Sequence, residues 1–505
     1  MGVFLLLAVL LPATARAQEP ATGETPPAPA QPPPPAPGPA PAPAPTPEPV
    51  PVIPPRQPIG PPPTVPSAPE RTLPAPGAGV PVTATFQLVP TLTLSEEYSD
   101  NFNLSARDKQ SNFRSSVSPG LRLLINSAFT RGTVAYNFSP THDTATGELS
   151  YFHSLLGQVQ WQATPRWTLT VADALTRSDQ PNEADALGLR QERRTFTSNR
   201  LSLDSDYLIG TIATRQSYRM SIFANDQGSE TTSHVLAVNA TAPLYQTNSV
   251  SAGYEYLLSN AENGGSSIAT GTGEILTTAN AAEIRGHRVT AAARRQLTSR
   301  SAAGLSTSYA LRTVTSDAGD SDFQLWTASL FTTYTLSSRL TINSSLGLNG
   351  LITDSGQSRA PGFTSATSVS YQFARAVLSL TVNRGFSETF AEGENQGVVE
   401  TDSVTASLSY PFTPLLFGRA TAFYRSNTAT STVDASGGRR DGGTENWGGT
   451  LALSLQLLRN VSFGLDYSFL RQEGAGIGRV SSGTTQPADT GYTENRIRAS
   501  VGVSF

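Results

Sequence analysis

Few side chains in this 505-residue chain have the type and spacing that chemistry needs. The histidines are His142, His153, His234 and His287. None is paired at metal-ligand spacing, and the chain has no cysteine to complete a site. His142-Asp143, with His153 just beyond, falls in an expected loop. Serine is so abundant that a nucleophile near these histidines carries no information. Gly271-Thr272-Gly273 and Gly437-Gly438-Arg439-Arg440 do not stand between a strand and a helix, so they read as surface loops and not phosphate cradles. Glu96, Glu97 and Asp100 read as a solvated acidic rim in preference to a calcium site. The chain is therefore expected to be no enzyme and to need no metal or cofactor.

Charges placed by strand parity are more informative. Ile497, Ala499, Val501, Val503 and Phe505 occupy every second position to the end of the chain, with Arg496, Arg498, Ser500, Gly502 and Ser504 between them. A strand sends successive side chains to opposite faces, so this one has an apolar face and a polar face. Glu494, Arg496 and Arg498 share the polar face, and Asp466 stands on the strand before. If that face lines a pore, opposed charges across it order water and filter solutes. The alternative is an ion pair that only stabilises the wall. The terminal alternation resembles the C-terminal insertion signal of outer-membrane barrels. That likeness rests on Val501, Val503 and Phe505 and implies recognition by a barrel assembly machinery; Ser500 stands where the signal commonly has Gly.

The elements that would position these charges recur along the chain. Val461, Phe463, Leu465, Tyr467 and Phe469 alternate with Ser462, Gly464, Asp466 and Ser468. Leu451, Leu453, Leu455 and Leu457 alternate with small and polar residues, as do Val404, Ala406, Leu408, Tyr410 and Phe412. Tight turns are expected at Thr164-Pro165-Arg166, Tyr245-Gln246-Thr247-Asn248, Ser337-Ser338-Arg339 and Leu458-Arg459-Asn460. Longer polar loops are expected between them, including 178–194, 260–280, 392–400, 430–443 and 474–489. Short turns on one side and long loops on the other suit an outer-membrane barrel. The reading is all-β: one transmembrane, antiparallel, up-and-down barrel over 83–505, of about 18–20 strands. An even strand number puts both termini on one side. The 178–194 loop either folds inward to constrict the pore or projects outward.

Composition agrees. The chain is 38% hydrophobic with a mean hydropathy of −0.22, and no apolar run is long enough for a membrane helix. A net charge of −4 argues against nucleic acid as a partner. Residues 1–17 read as a signal peptide, with a short apolar run and Ala15-Arg16-Ala17 before the cut. Residues 18–82 hold 27 of the chain's 38 prolines. Proline removes backbone donors and fixes φ, so this stretch is expected to be a disordered, extended periplasmic linker. It would serve as a spacer or meet a periplasmic partner.

Tyr98, Asp100 and Asn101, in Ser95-Glu96-Glu97-Tyr98-Ser99-Asp100-Asn101-Phe102, follow the first expected strand. The octet resembles the Tyr-x-Asp-Asn signature of β-barrel porins of proteobacteria. It is similar to barrels associated with exopolysaccharide systems. The resemblance implies an outer-membrane conduit for a surface polysaccharide, in contact with membrane lipid and a periplasmic export partner. The alternatives are a passive diffusion porin for small hydrophilic solutes and a closed structural or adhesive barrel.

Overall fold

The computed structural model describes residues 85–180, 193–226, 228, 230–245, 247–262, 266–269, 275–278, 281–316, 319–353, 361–388, 398–429, 443–474 and 491–505. The expected signal peptide and proline-rich linker lie outside these residues.

Among the described residues, strands are the only regular elements. They are β1 (Thr85–Ser99), β2 (Asn112–Asn126), β3 (Thr130–Asp143), β4 (Leu149–Thr164), β5 (Trp167–Ser178), β6 (Phe196–Ile209), β7 (Ile212–Asn225), β8 (Glu230–Tyr245) and β9 (Asn248–Glu262). A small hairpin follows, β10 (Ser266–Ala269) with β11 (Ile275–Thr278). Then come β12 (Ala281–Thr298), β13 (Ser301–Ser316), β14 (Gly319–Ser337), β15 (Leu340–Thr353), β16 (Gly362–Gln372) and β17 (Val377–Glu388). The last five are β18 (Val398–Pro411), β19 (Leu416–Ala429), β20 (Gly443–Leu458), β21 (Val461–Glu473) and β22 (Tyr492–Ser504).

Apart from β10 and β11, every strand pairs antiparallel with its chain neighbours, β9 pairing with β12, and β1 pairs with β22. The sheet is thus a closed barrel of 20 strands. Closure leaves no strand edge, which is how a sheet satisfies every backbone group. The four expected turns all fall between strands at one end, together with the start of β1 and the end of β22. Hydroxyl side chains fix these turns locally. Ser337 Oγ accepts from the Leu340 amide at 3.2 Å and Thr413 Oγ1 from the Leu416 amide at 2.9 Å. The longer connections lie at the other end, although the β13–β14 connection there is also tight.

Parity is obeyed around the wall. Leu305, Leu330, Leu346 and Leu451 are exposed on the outside. Inside, hydroxyls meet across strands: Ser95 with Ser116 at 2.6 Å, Ser306 with Ser329 at 2.7 Å and Ser379 with Ser407 at 2.7 Å. One ladder is interrupted. β2 and β3 pair up to Ser116↔Thr141 and resume at Gly120↔Asn137. Pro119 and Pro140 fall in the gap, where a missing N–H breaks the ladder. Ser118 and Ser139 bridge it with a 2.7 Å hydroxyl pair.

Candidate functional site

The outer wall is an apolar belt between two bands of aromatic pairs. Beside the short turns, Trp161 meets Trp167 with ring centroids at 5.9 Å and Tyr410 meets Phe412 at 4.8 Å. Toward the loop end, Tyr98 meets Phe113 at 4.8 Å and Trp447 meets Phe469 at 5.0 Å. Three of the histidines belong to this wall. Nδ1 of His153, His234 and His287 lies 2.8, 2.9 and 2.8 Å from the hydroxyls of Tyr136, Tyr218 and Tyr254 on adjacent strands. The expectation of a loop at His142-Asp143 is corrected: both end β3, and His153 lies within β4. Alternation aims the exposed His142 outward and the buried Asp143 inward, so the two do not form a catalytic pair. Among the described residues no group of side chains could hold a metal ion. Glu96 and Glu97 likewise face opposite sides of β1, and Asp100 is engaged elsewhere.

The four charges read as pore-lining share the inner face. Asp466 is the register partner of Arg498, and Ser468 of Arg496. Their roles then divide. Arg498 is exposed to the lumen and donates to Ser95 Oγ at 3.3 Å. Arg496 donates to Gln180 Oε1 at 2.6 Å. Glu494 is buried, accepting from Ser99 Oγ at 2.8 Å and from Arg193 at 3.0 Å.

Glu494 opens into a network that sequence reasoning missed. Arg114 forks onto two carboxylates: Nε meets Asp143 Oδ1 at 2.7 Å, and Nη2 meets Asp179 Oδ2 at 2.7 Å. Arg193 joins Asp179 at 3.5 Å to Glu494. The Phe102 ring lies against both cations, 4.5 Å from Arg193 and 5.2 Å from Arg114. Burial pushes the Asp179 carboxyl up. The Arg114 hydrogen bond and the charges of Arg193 and Arg114 outweigh it and hold the group below its ordinary value. The nearby Leu104 has φ 52, a left-handed conformation costly for leucine. Its side chain packs inward on Leu470 and Tyr492, which offsets that cost. Both ends of the 178–194 segment therefore turn inward, through Asp179, Gln180 and Arg193. Glu183, Asp185, Arg190 and Glu192 lie outside the described residues.

A second network stands on the opposite wall. Arg312 of β13 is 1% exposed, and its Nε and Nη2 donate to Glu388 Oε2 of β17 at 2.9 and 2.8 Å. Arg288 of β12 also bonds Glu388, and reaches Glu255 of β9 at 3.5 Å. Arg219 of β7 holds Glu255 from the other side at 3.5 Å. A Cβ added at Gly286 would stand 2.3 Å from Arg312 Nη1, so glycine there makes room for the guanidinium. Glu388 should point outward, since it shares strand parity with the exposed Leu378 and Leu380. It reaches inward because the β16–β17 ladder stops at Ser365↔Arg384. Past that point β17 keeps only β18 as a neighbour, and its end turns inward. Phe386 and Val398 then pack on Ala310, Leu325 and Leu351 of the inner face.

Asp100 and Asn101 form a clasp across the line where the barrel closes, while Tyr98 packs outside it on Phe113 of β2. Both Asp100 carboxylate oxygens accept from Asn495 of β22, Oδ1 from its backbone amide and Oδ2 from its side chain, each at 2.7 Å. Asn101 is fully buried. Its Nδ2 donates to Thr493 O at 2.9 Å and Ser105 O at 2.8 Å, and its Oδ1 accepts from the Ser105 amide at 3.0 Å. At the opposite end of the same line, the Phe505 amide donates to Pro90 O at 3.0 Å. The motif was legible in sequence as a loop start; its partner strand, some 400 residues away, was not.

The molecule is thus a closed 20-stranded antiparallel β-barrel with an apolar outer wall, a hydroxyl-rich lumen and charged networks at the loop end. No family model and no curated protein matches the chain. Among solved structures it is similar to a mutant of the ferric enterobactin receptor PfeA from Pseudomonas aeruginosa, at 12% identity over 83% of this chain and 80% of that one, with a TM-score of 0.43. It is similar to the FrpB iron transporter from Neisseria meningitidis at 10% identity, over 82% of each chain, with a TM-score of 0.47. A siderophore receptor, PirA from Acinetobacter baumannii, shares 11% identity over 82% of this chain and 80% of that one, with a TM-score of 0.43. Likenesses this distant do not bear on what this chain carries.

Proposed function

We propose that this protein is an integral outer-membrane β-barrel and the outer-membrane conduit of a surface-polysaccharide pathway. The observation that carries the membrane placement is the outer wall. Large apolar side chains such as Leu305 and Leu330, 63% and 57% exposed, form a belt that water would not tolerate and lipid would. The bands of aromatic pairs at its two edges suit the two membrane interfaces. The short-turn end then faces the periplasm and the loop end the exterior.

The choice of cargo rests on the lumen and on the Tyr98-x-Asp100-Asn101 resemblance. Barrels of 16–18 strands leave an aqueous channel, and this one has more strands. Serine and threonine line the inner face, and Arg498 is exposed there. Hydroxyls and guanidiniums can exchange hydrogen bonds with a sliding glycan without gripping any one unit. Side chains turn inward from two arcs of the loop-end rim, which favours a gated conduit over a permanently open diffusion pore. The proline-rich 18–82 segment would hold a periplasmic partner near the barrel and raise its effective concentration.

Fractionation tests the placement: the protein should sediment with outer membrane and migrate differently on gels before and after boiling. Recovery as soluble periplasmic protein would end this reading. Deleting the gene should abolish surface polysaccharide while leaving small-solute permeability nearly unchanged. Persistence of the polysaccharide with a fall in small-solute uptake would establish the diffusion porin instead.

A further inference from the structure

We propose that Arg288 and Arg312 form an anion-binding station at the mouth, held in this structure by the chain's own Glu388 and taken over by carboxylates of an acidic glycan. The inference deepens the conduit reading and rests on it. Four observations carry it. First, two guanidiniums converge on one carboxylate, Arg312 through two donors at 2.9 and 2.8 Å and Arg288 through a third. Second, Arg312 Nη1 is buried and has no hydrogen-bond partner among the described residues, so the station has a donor to spare. Third, Glu388 comes from the end of a strand that has lost its β16 neighbour beyond Arg384. Beyond that point it is laddered on one side only, to β18, with a small apolar contact of Phe386 and Val398 on the inner wall.

Fourth, the charge balance favours replacement. Arg219, Arg288 and Arg312 face Glu255 and Glu388, a formal sum of +1. Withdrawing Glu388 raises this to +2. Glu255 already lies 3.8 Å from Arg312 and 3.5 Å from Arg288 and is shared with Arg219, so it is counted in that sum and leaves the +2 uncompensated. A uronic-acid carboxylate arriving through the lumen offers the same acceptor geometry as Glu388. Exchange would free the end of β17, which lacks a β16 neighbour there, to swing back toward the wall line and widen the mouth. Glu388 thus acts as an internal competitor, keeping the mouth closed until an anionic chain arrives.

The test is conductance of the full-length protein in planar bilayers, with folding of each variant checked by its gel shift on heating. Wild type should conduct weakly. Glu388→Gln, nearly isosteric, should raise conductance on the order of fivefold. Arg312→Gln should do the same and keeps the test decisive if the first variant does not insert. Oligogalacturonate should open wild type, whereas a neutral dextran of similar length should not, and Arg312→Gln should lose the response. Folded variants as silent as wild type would overturn the closure. Equal responses to the charged and neutral oligomers would overturn the station. Either result stands apart from the cargo reading, which the gene deletion decides on its own.

Discussion

The two charged networks at the mouth use the same chemistry for different mechanical ends. The one around Arg114 joins β2, β3 and β22 to Asp179 just after β5 and Arg193 just before β6, and the clasp of Asp100 and Asn101 ties it to the closing line. Its strands stay in the wall. The one around Arg312 joins four wall strands to a strand end that has lost one of its two neighbours. A buried ion pair between fixed elements is structure; the same pair on a strand end laddered on one side only is a latch. Ladder length, more than the type of residue, separates the two.

Substitutions can break this contrast. Arg114→Ala should be the most damaging, because it leaves Asp143 buried with no cation and Asp179 with only the longer contact to Arg193, at about 3–5 kcal/mol. Arg312→Ala should cost only about 1–2 kcal/mol, because Glu388 can move out to water. Urea midpoints of the barrel in detergent compare the two, and equal losses would erase the distinction between fixed wall and latch. Next comes the wall itself. Leu453→Arg should destabilise by about 2–4 kcal/mol if it faces mid-membrane lipid, while Ser454→Arg, facing the lumen, should be tolerated. Equal insertion of both variants would refute the parity on which both networks rest.

Asp100→Ala removes two charge-assisted hydrogen bonds from the closing line and should cost about 1.5–3 kcal/mol. It should lower the temperature at which the folded gel band disappears, and an unchanged temperature would mean that the clasp is idle. The smallest effect is one of pH. Asp179 is held below its ordinary 3.8, so its contribution is full above that value and fades as pH falls through the lower, folded one. Urea midpoints between pH 7 and 3 should therefore drop in the acid limb, and Asp179→Asn should flatten that drop. The Arg312 side should be compared in the same series with Glu388→Gln as its control.

Much of the wall was legible beforehand because strand periodicity is local. Alternation alone aimed Leu453 outward and Asp466 and Arg498 inward, and hydroxyl-rich or proline turns marked the short-turn end. The strand number followed as a range of about 18–20, since each turn is a local event; barrel closure gives 20. The mouth was not legible for the opposite reason. Arg114, Asp143, Asp179 and Arg193 are scattered in sequence and meet only because segments turn inward over a closed sheet. Glu388 even breaks the parity rule, since the rule holds only while a strand keeps its neighbour.

The sequence by itself determined the barrel class, the two faces of each strand and the inward charges of β21 and β22, because a two-residue period fixes which way a side chain points. Tertiary structure decided that Asp100 and Asn101 clasp Asn495 and Thr493, that Glu494 is buried while Arg498 meets water, and that Glu388 crosses to Arg288 and Arg312. Those pairings depend on barrel closure and on where a ladder stops. Both are set by the register of strands distant in the chain, which no local pattern records.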